Sequence, residues 1–158
     1  PLFKRFTFFP QVILGLIFNW GVLVGFSCSN ELININIICL YLAGVFLTIG
    51  YDTIYAFQDI NDDRKIGLKS LAMKTSKFPR FYLSLIYVFS ALLFCISFFK
   101  NYGINFLSIF FSSSTFLFLL MQVKNFDINN KQMLQKQFVS NSYLGGFIFF
   151  GFFIANYL

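Results

Sequence analysis

Tyr51-Asp-Thr-Ile-Tyr-Ala-Phe-Gln-Asp-Ile-Asn-Asp-Asp-Arg-Lys-Ile-Gly-Leu-Lys-Ser70 decides how this chain is read. It carries four of the six acidic residues, Asp52, Asp59, Asp62 and Asp63, at the end of a long apolar run. Arg64, Lys65 and Lys69 follow at once. Carboxylates at the edge of a membrane-length segment are expensive, so such a cluster is a functional-site hypothesis by default. If the helix ending here continues to Asp63, then Asp52, Asp59 and Asp63 stand at i, i+7 and i+11 and share one face. Two carboxylates one turn apart suit a hard divalent cation such as Mg2+, which completes its shell with water and phosphate oxygens. The cations downstream suit the diphosphate oxygens that a metal alone leaves unneutralised. The bland alternative is a wet loop whose acids pair with their basic neighbours. Asp52 argues against it, because it lies among Tyr51, Ile54 and Tyr55 inside apolar sequence.

Working outward, the chain has 158 residues, 26 of them Phe, and its apolar runs are too long and too many for a soluble core of that size. Five segments reach the roughly 20 residues needed to cross a bilayer, at about 8–28, 34–58, 78–99, 104–123 and 138–158. Spanning helices satisfy their own backbone groups without water, so the expected fold class is all-α integral membrane, with the lipid bilayer as solvent. There is no His, which removes imidazole bases and His-ligated metals. Cys28, Cys39 and Cys95 are far apart and form no CxxC pair, so neither a disulfide nor a zinc site is expected.

The net charge of +6 sits in particular loops. Lys4 and Arg5 precede the first span, Arg64 to Arg80 follow the second, and Lys124, Lys131 and Lys136 follow the fourth. The loop around Glu31 has no Lys or Arg, and the third connection has only Lys100. Basic and non-basic loops therefore alternate. The positive-inside rule places the Asp-rich loop on the cytoplasmic side and the C-terminus on the other. Topology explains the basic balance, and no nucleic acid partner is implied. Gly15, Gly21, Gly25, Gly145, Gly146 and Gly151 recur near helix-packing spacing and are expected where helices approach closely.

The run Tyr51-Asp-Thr-x-Tyr-Ala-x-x-Asp-x-x-Asp-Asp-x-x-Ile-Gly-x-Lys-Ser70 resembles the second aspartate-rich motif of the UbiA prenyltransferases, in the wording of their 4-hydroxybenzoate polyprenyltransferase branch. Lys4-Arg-Phe-Thr7, Pro10-Gln11, Leu14-Gly15 and Asn19-Trp20-Gly21 are similar to the helix before that motif, and Asn141-Ser-Tyr-Leu-Gly145 resembles the start of the last helix. The resemblance implies a nine-helix bundle in which two Asp motifs, one in each half, hold Mg2+ and a polyprenyl diphosphate. Loss of diphosphate gives an allylic cation, which the ring of 4-hydroxybenzoate attacks beside its hydroxyl group, a step of ubiquinone biosynthesis. Metal and cationic side chains stabilise the departing diphosphate, and aromatic faces the cation.

Carried over by position, Asp59 and Asp63 become the catalytic, metal-binding pair, with Asp62 as an accessory ligand. Asn61 stands where several relatives have an acid. Lys4 matches the Lys of a Y-x-x-x-K diphosphate motif whose Tyr would precede Pro1; its other reading is a positive-inside anchor. Lys69 is open in the same way, and Arg64 joins the diphosphate set. Asp52, Tyr51 and Tyr55 are implied to face substrate. The family's first motif, N-D-x-x-D-x-x-x-D, does not occur in these residues, and the chain opens on Pro1 rather than Met. Residues 1–158 therefore read as the C-terminal part of one UbiA-type domain, needing a missing N-terminal half or a partner chain. The implied home is the bacterial inner membrane or the mitochondrial inner membrane, with the Asp-rich loop on the cytoplasmic or matrix side.

Four competitors are weighed against this. Other family members prenylate haem, chlorophyllide, homogentisate or dihydroxynaphthoate. CDP-alcohol phosphotransferases also use helical Asp clusters, but need a D-G-x-x-A-R signature absent here. A divalent-cation transporter would carry ionisable residues on several spans near mid-membrane, whereas here they gather at the end of one. A degraded copy or inactive fragment, acting as a non-catalytic scaffold, is the remaining alternative.

Overall fold

The computed structural model describes residues 3–28 and 33–157, and those residues are helical with no strand. Pro1, Glu31 and the loop around it, and Leu158 lie outside the described residues. Five helices, or helix pairs, are long and apolar enough to cross a membrane. The first span consists of α2 (Pro10–Phe18) and α3 (Trp20–Ser27), preceded by a single turn, α1 (Phe3–Phe6). The others are α4 (Ile35–Gln58), α7 (Pro79–Tyr102), α8 (Phe106–Lys124) and α9 (Lys131–Tyr157). Two short helices, α5 (Ile60–Lys65) and α6 (Leu71–Thr75), lie between α4 and α7. The architecture is an all-α integral membrane fold.

Local chemistry sets most of these boundaries. Asn34 and Asn105 cap α4 and α8 by accepting hydrogen bonds from the backbone N–H groups of the first turns. Pro10 and Pro79 open α2 and α7, where a missing N–H costs nothing. Gly103, at φ 73°, ends α7. The last span begins at Lys131, ahead of the expected 138, because a spanning helix extends beyond the bilayer when its first turns are polar. Asn130 supports that start by accepting from Met133 N–H at 3.0 Å.

The centre of the bundle is α4, which packs against α2, α3, α7 and α9. Its buried side includes Ala43, Leu47, Ile54, Ala56 and Phe57, against Leu83, Tyr87, Ala91 and Phe94 of α7. Small residues allow the approach: a Cβ on Gly15 would come within 2.9 Å of the Val45 carbonyl, and one on Gly151 would strike the Phe111 ring. Gly44 and Gly50 are equally tight, facing Asn19 and the Tyr87 ring. Gly21, Gly25, Gly145 and Gly146 correct the glycine expectation, since a Cβ there meets nothing within 4 Å. Spacing alone does not distinguish a packed glycine from an open one.

One end of the bundle gathers the charged segments. Arg80 at the start of α7 donates twice to the Phe126 carbonyl beyond α8, from Nε at 3.1 Å and Nη2 at 2.8 Å. The Phe57 and Phe126 rings meet edge to face. Gln11 of α2, fully buried, accepts from the Leu71 N–H that opens α6. At the other end, the amide of Asn36 donates to Asn101, so α4 and α7 run antiparallel.

Candidate functional site

The helix does not continue from Asp52 to Asp63. It ends at Gln58, and Asp59 adopts a non-helical φ of −106° and ψ of 6°. From there α5 starts afresh, with the Asp59 carbonyl accepting from Asp62 N–H at 3.0 Å and Asp63 N–H at 2.8 Å. Asp59 and Asp63 are thus still one turn apart, but the common face with Asp52 is broken by the new helix. The stop of α5 is written in Ile66-Gly67-Leu68. Gly67 takes φ 73°, its N–H donates to the Arg64 carbonyl, and Leu68 N–H reaches back to the Asp63 carbonyl at 2.9 Å. That pair of bonds is a Schellman close, which favours glycine at the left-handed position. It turns the chain so that Lys69 comes back to α1, where its N–H donates to the Lys4 carbonyl at 2.7 Å.

Lys4 is the hub. Its Nζ lies 3.0 Å from Asp63 Oδ2, an ion pair in which the carboxylate side chain is only 9 % exposed. Lys4 also lines a cavity of about 610 Å3 together with Asp52 and Tyr55 of α4, Leu68, and the apolar residues Ile13, Leu14 and Ile17 of α2. The cavity is charged at one end and apolar along its length, a shape suited to an amphiphile with an anionic head. Lys69 is half-buried, with its ammonium 5.4 Å from the centre of the Phe8 ring. Arg64 is exposed. Asp62 points outward, paired at 3.2 Å with an equally exposed Lys65. Asp59 is half-buried, and its carboxylate makes no hydrogen bond or ion pair among the described residues.

Tyr51 and Tyr55 share a neighbour that sequence reading missed. The Phe138 ring of α9 lies 5.7 Å from Tyr51 and 4.8 Å from Tyr55, ring centre to ring centre. No sequence signal singles it out among 26 phenylalanines. Gln11 carried a signal that could have been used, because an amide inside an apolar span requires a reason. Its reason is structural: it anchors the loop that carries Lys69.

Among the described residues, no three His, Cys, Asp or Glu side chains come together as a metal cage. Asp59 and Asp63 offer hard oxygen donors one turn apart, which fits a Mg2+ ion taking one or two carboxylates with water and phosphate. A softer metal would find neither imidazole nor clustered thiolate here: there is no His, and Cys28, Cys39 and Cys95 are all free and separate.

The family model described as the UbiA prenyltransferase family matches residues 1–156. The chain belongs to the UbiA prenyltransferase family. Among UbiA relatives, it is 41 % identical over 149 residues to the mitochondrial 4-hydroxybenzoate polyprenyltransferase of Dictyostelium discoideum, covering 92 % of this chain and 31 % of that protein. It is 33 % identical over 152 residues to the 4-hydroxybenzoate octaprenyltransferase of Blochmanniella floridana, covering 96 % of this chain and 53 % of the relative. The mitochondrial 4-hydroxybenzoate polyprenyltransferase of Bos taurus is 37 % identical over 167 residues, covering 99 % of this chain and 42 % of the relative. The chain thus spans from a third to a half of the length of these curated UbiA relatives. No solved structure matches it.

Proposed function

We propose that this chain forms the C-terminal part of a single UbiA-type domain that transfers a polyprenyl group from polyprenyl diphosphate to the ring of 4-hydroxybenzoate, for ubiquinone biosynthesis. The observation that carries the proposal is the junction of Lys4, Asp63 and the amphiphilic cavity, in a family member whose similar relatives are named for that reaction. Asp59 and Asp63 would hold Mg2+, and Asp62, turned outward to Lys65, stays the accessory position that the motif implies. When bound, Mg2+ supplies charge neutralisation for the departing diphosphate. Lys4, Arg64 and Lys69 grip the remaining diphosphate oxygens, and Lys4 holds Asp63 in place beforehand. The prenyl chain runs along Ile13, Leu14 and Ile17. Asp52, Tyr51 and Tyr55 face the reacting end, where the tyrosine rings stabilise the allylic cation and keep water out.

The second acidic motif required by this scheme comes from outside residues 1–158, either from the rest of the same polypeptide or from a partner chain. The basic end of the bundle lies on the cytoplasmic or matrix side of an inner membrane, bacterial or mitochondrial, in accord with its lysines and arginines. The test is a transfer assay on the complete protein in a bilayer. Prenylated 4-hydroxybenzoate should form with Mg2+, vanish with a chelator and return when Mg2+ is restored. Formation that is indifferent to the chelator, or divalent-cation flux without transfer, would overturn the proposal.

A further inference from the structure

A separate cavity, of about 320 Å3, opens at the basic end of the bundle, where α7 begins and the chain leaves α8. Phe78, Phe81 and Ile128 give it apolar walls, and Arg80 and Asp127 bring opposite charges to it. Both charged side chains are exposed, and among the described residues they form no ion pair with each other or with any other group. Arg80 commits Nε and Nη2 to the Phe126 carbonyl, which holds the guanidinium next to residue 127 and leaves Nη1 unbonded. Asp127 Oδ1 accepts from Asn129 N–H at 2.9 Å, which ties the carboxylate to its own turn and leaves Oδ2 unbonded. Each charge is therefore anchored from behind and open in front.

The depth of the cavity narrows what can fill it. Helix α7 has 24 residues, more than the roughly 20 that cross the hydrocarbon, so its first turn stands at headgroup level. Helix α8 ends at Lys124, which brings Asp127 out at the same level. Phe78 and Phe81 are 67 % and 63 % exposed, an apolar surface suited to contact with lipid. An apolar slot holding a fixed cation and a fixed anion that do not pair with each other is complementary to a zwitterion. We propose that this cavity binds a phospholipid whose headgroup carries a phosphate and a primary ammonium, phosphatidylethanolamine, with the phosphate on Arg80 and the ammonium on Asp127. Guanidinium N–H groups suit phosphate oxygens, and an ammonium with three N–H donors suits a carboxylate. A choline headgroup has no N–H to offer Asp127, and an anionic headgroup sets a second negative charge against it. The bound lipid joins α7 to the α8–α9 connection, the two segments that Arg80 already links. The inference is independent of the prenyl-transfer reading, since none of these residues lines the Lys4 cavity.

The experiment equilibrates the complete protein with mixed micelles of dioleoyl phosphatidylethanolamine, phosphatidylcholine and phosphatidylglycerol in equal amounts. Native mass spectrometry then counts the lipids retained. Wild type should retain phosphatidylethanolamine over phosphatidylcholine by about fivefold, the size of one ion pair at a partly solvated site. Asp127→Asn keeps an acceptor for Asn129 N–H but loses the charge, and should bring that ratio to within about twofold. Asp127→Lys should turn the preference toward phosphatidylglycerol. An undiminished ratio in Asp127→Asn, or phosphatidylethanolamine still ahead of phosphatidylglycerol in Asp127→Lys, overturns the proposal. So does a wild type that retains all three alike, as a cavity covered by the rest of the polypeptide would give, or one that favours phosphatidylcholine or phosphatidylglycerol.

Discussion

The two polar regions of this bundle solve the same problem in opposite ways. At the end of α4 the polar groups are charged, few in hydrogen bonds and close to water: Lys4 pairs with Asp63, and Asp59 stands uncommitted. Between α7, α8 and α9 they are neutral and bonded to one another: Tyr87, Gln122, Gln137 and Asn141, all buried, with the half-buried Ser140. Apolar surroundings tolerate neutral amides when most of their polar atoms are bonded, here all but Gln137 Oε1 and Asn141 Oδ1, whereas charges remain where solvent and counter-ions can reach them. The contrast separates what holds the fold from what is available for chemistry. The amide network ties α7, α8 and α9 together, and the charged end leaves its carboxylates and ammonium groups free to exchange partners for a ligand.

Several substitutions break or sharpen that contrast. Lys4→Met strikes the charged region. It should raise the KM for polyprenyl diphosphate roughly tenfold through loss of one charge-assisted contact. Steady-state transfer kinetics on the complete protein check it, and an unchanged KM would return Lys4 to a topological anchor. Tyr87→Phe strikes the neutral region, removing one donor from Gln122 Oε1 while the ring stays packed against Gly50. It should lower stability by about 1 kcal/mol with little change in transfer rate per folded molecule, read by thermal unfolding in detergent. Lys65→Ala removes the exposed partner of Asp62 and should change stability by less than about 0.5 kcal/mol, since both groups are largely solvated. A large loss there would show that the outer ion pair belongs to the structured end after all.

Much of the fold was legible because hydropathy is a strong signal at membrane length. All five spans lie where apolar runs predicted them, and their ends follow Asn, Pro and Gly residues that cap or stop helices. What was not legible was the break at Asp59. An i, i+7, i+11 pattern assumes one continuous helix, and nothing in the spacing reveals a restart. The Schellman close at Gly67 was equally readable in principle, since Ile-Gly-Leu after a short polar run marks a helix stop. Pairing between distant residues lay beyond reach. Lys4 and Asp63 are 59 positions apart, and only the packing of α1 against the 67–69 turn unites them. The amide network was hidden for a related reason: Gln122, Gln137 and Asn141 sit on two helices, and each alone looks like a stray polar residue in an apolar span.

The most direct measurement compares transfer by wild type and Asp63→Asn in the complete protein, with thermal unfolding as a control. Replacing a carboxylate at the metal by its neutral isostere should lower the rate about a hundredfold or more while leaving the protein folded. Transfer retained at the wild-type rate in a folded Asp63→Asn protein would contradict the assignment of this charged end as the site where diphosphate and Mg2+ are held.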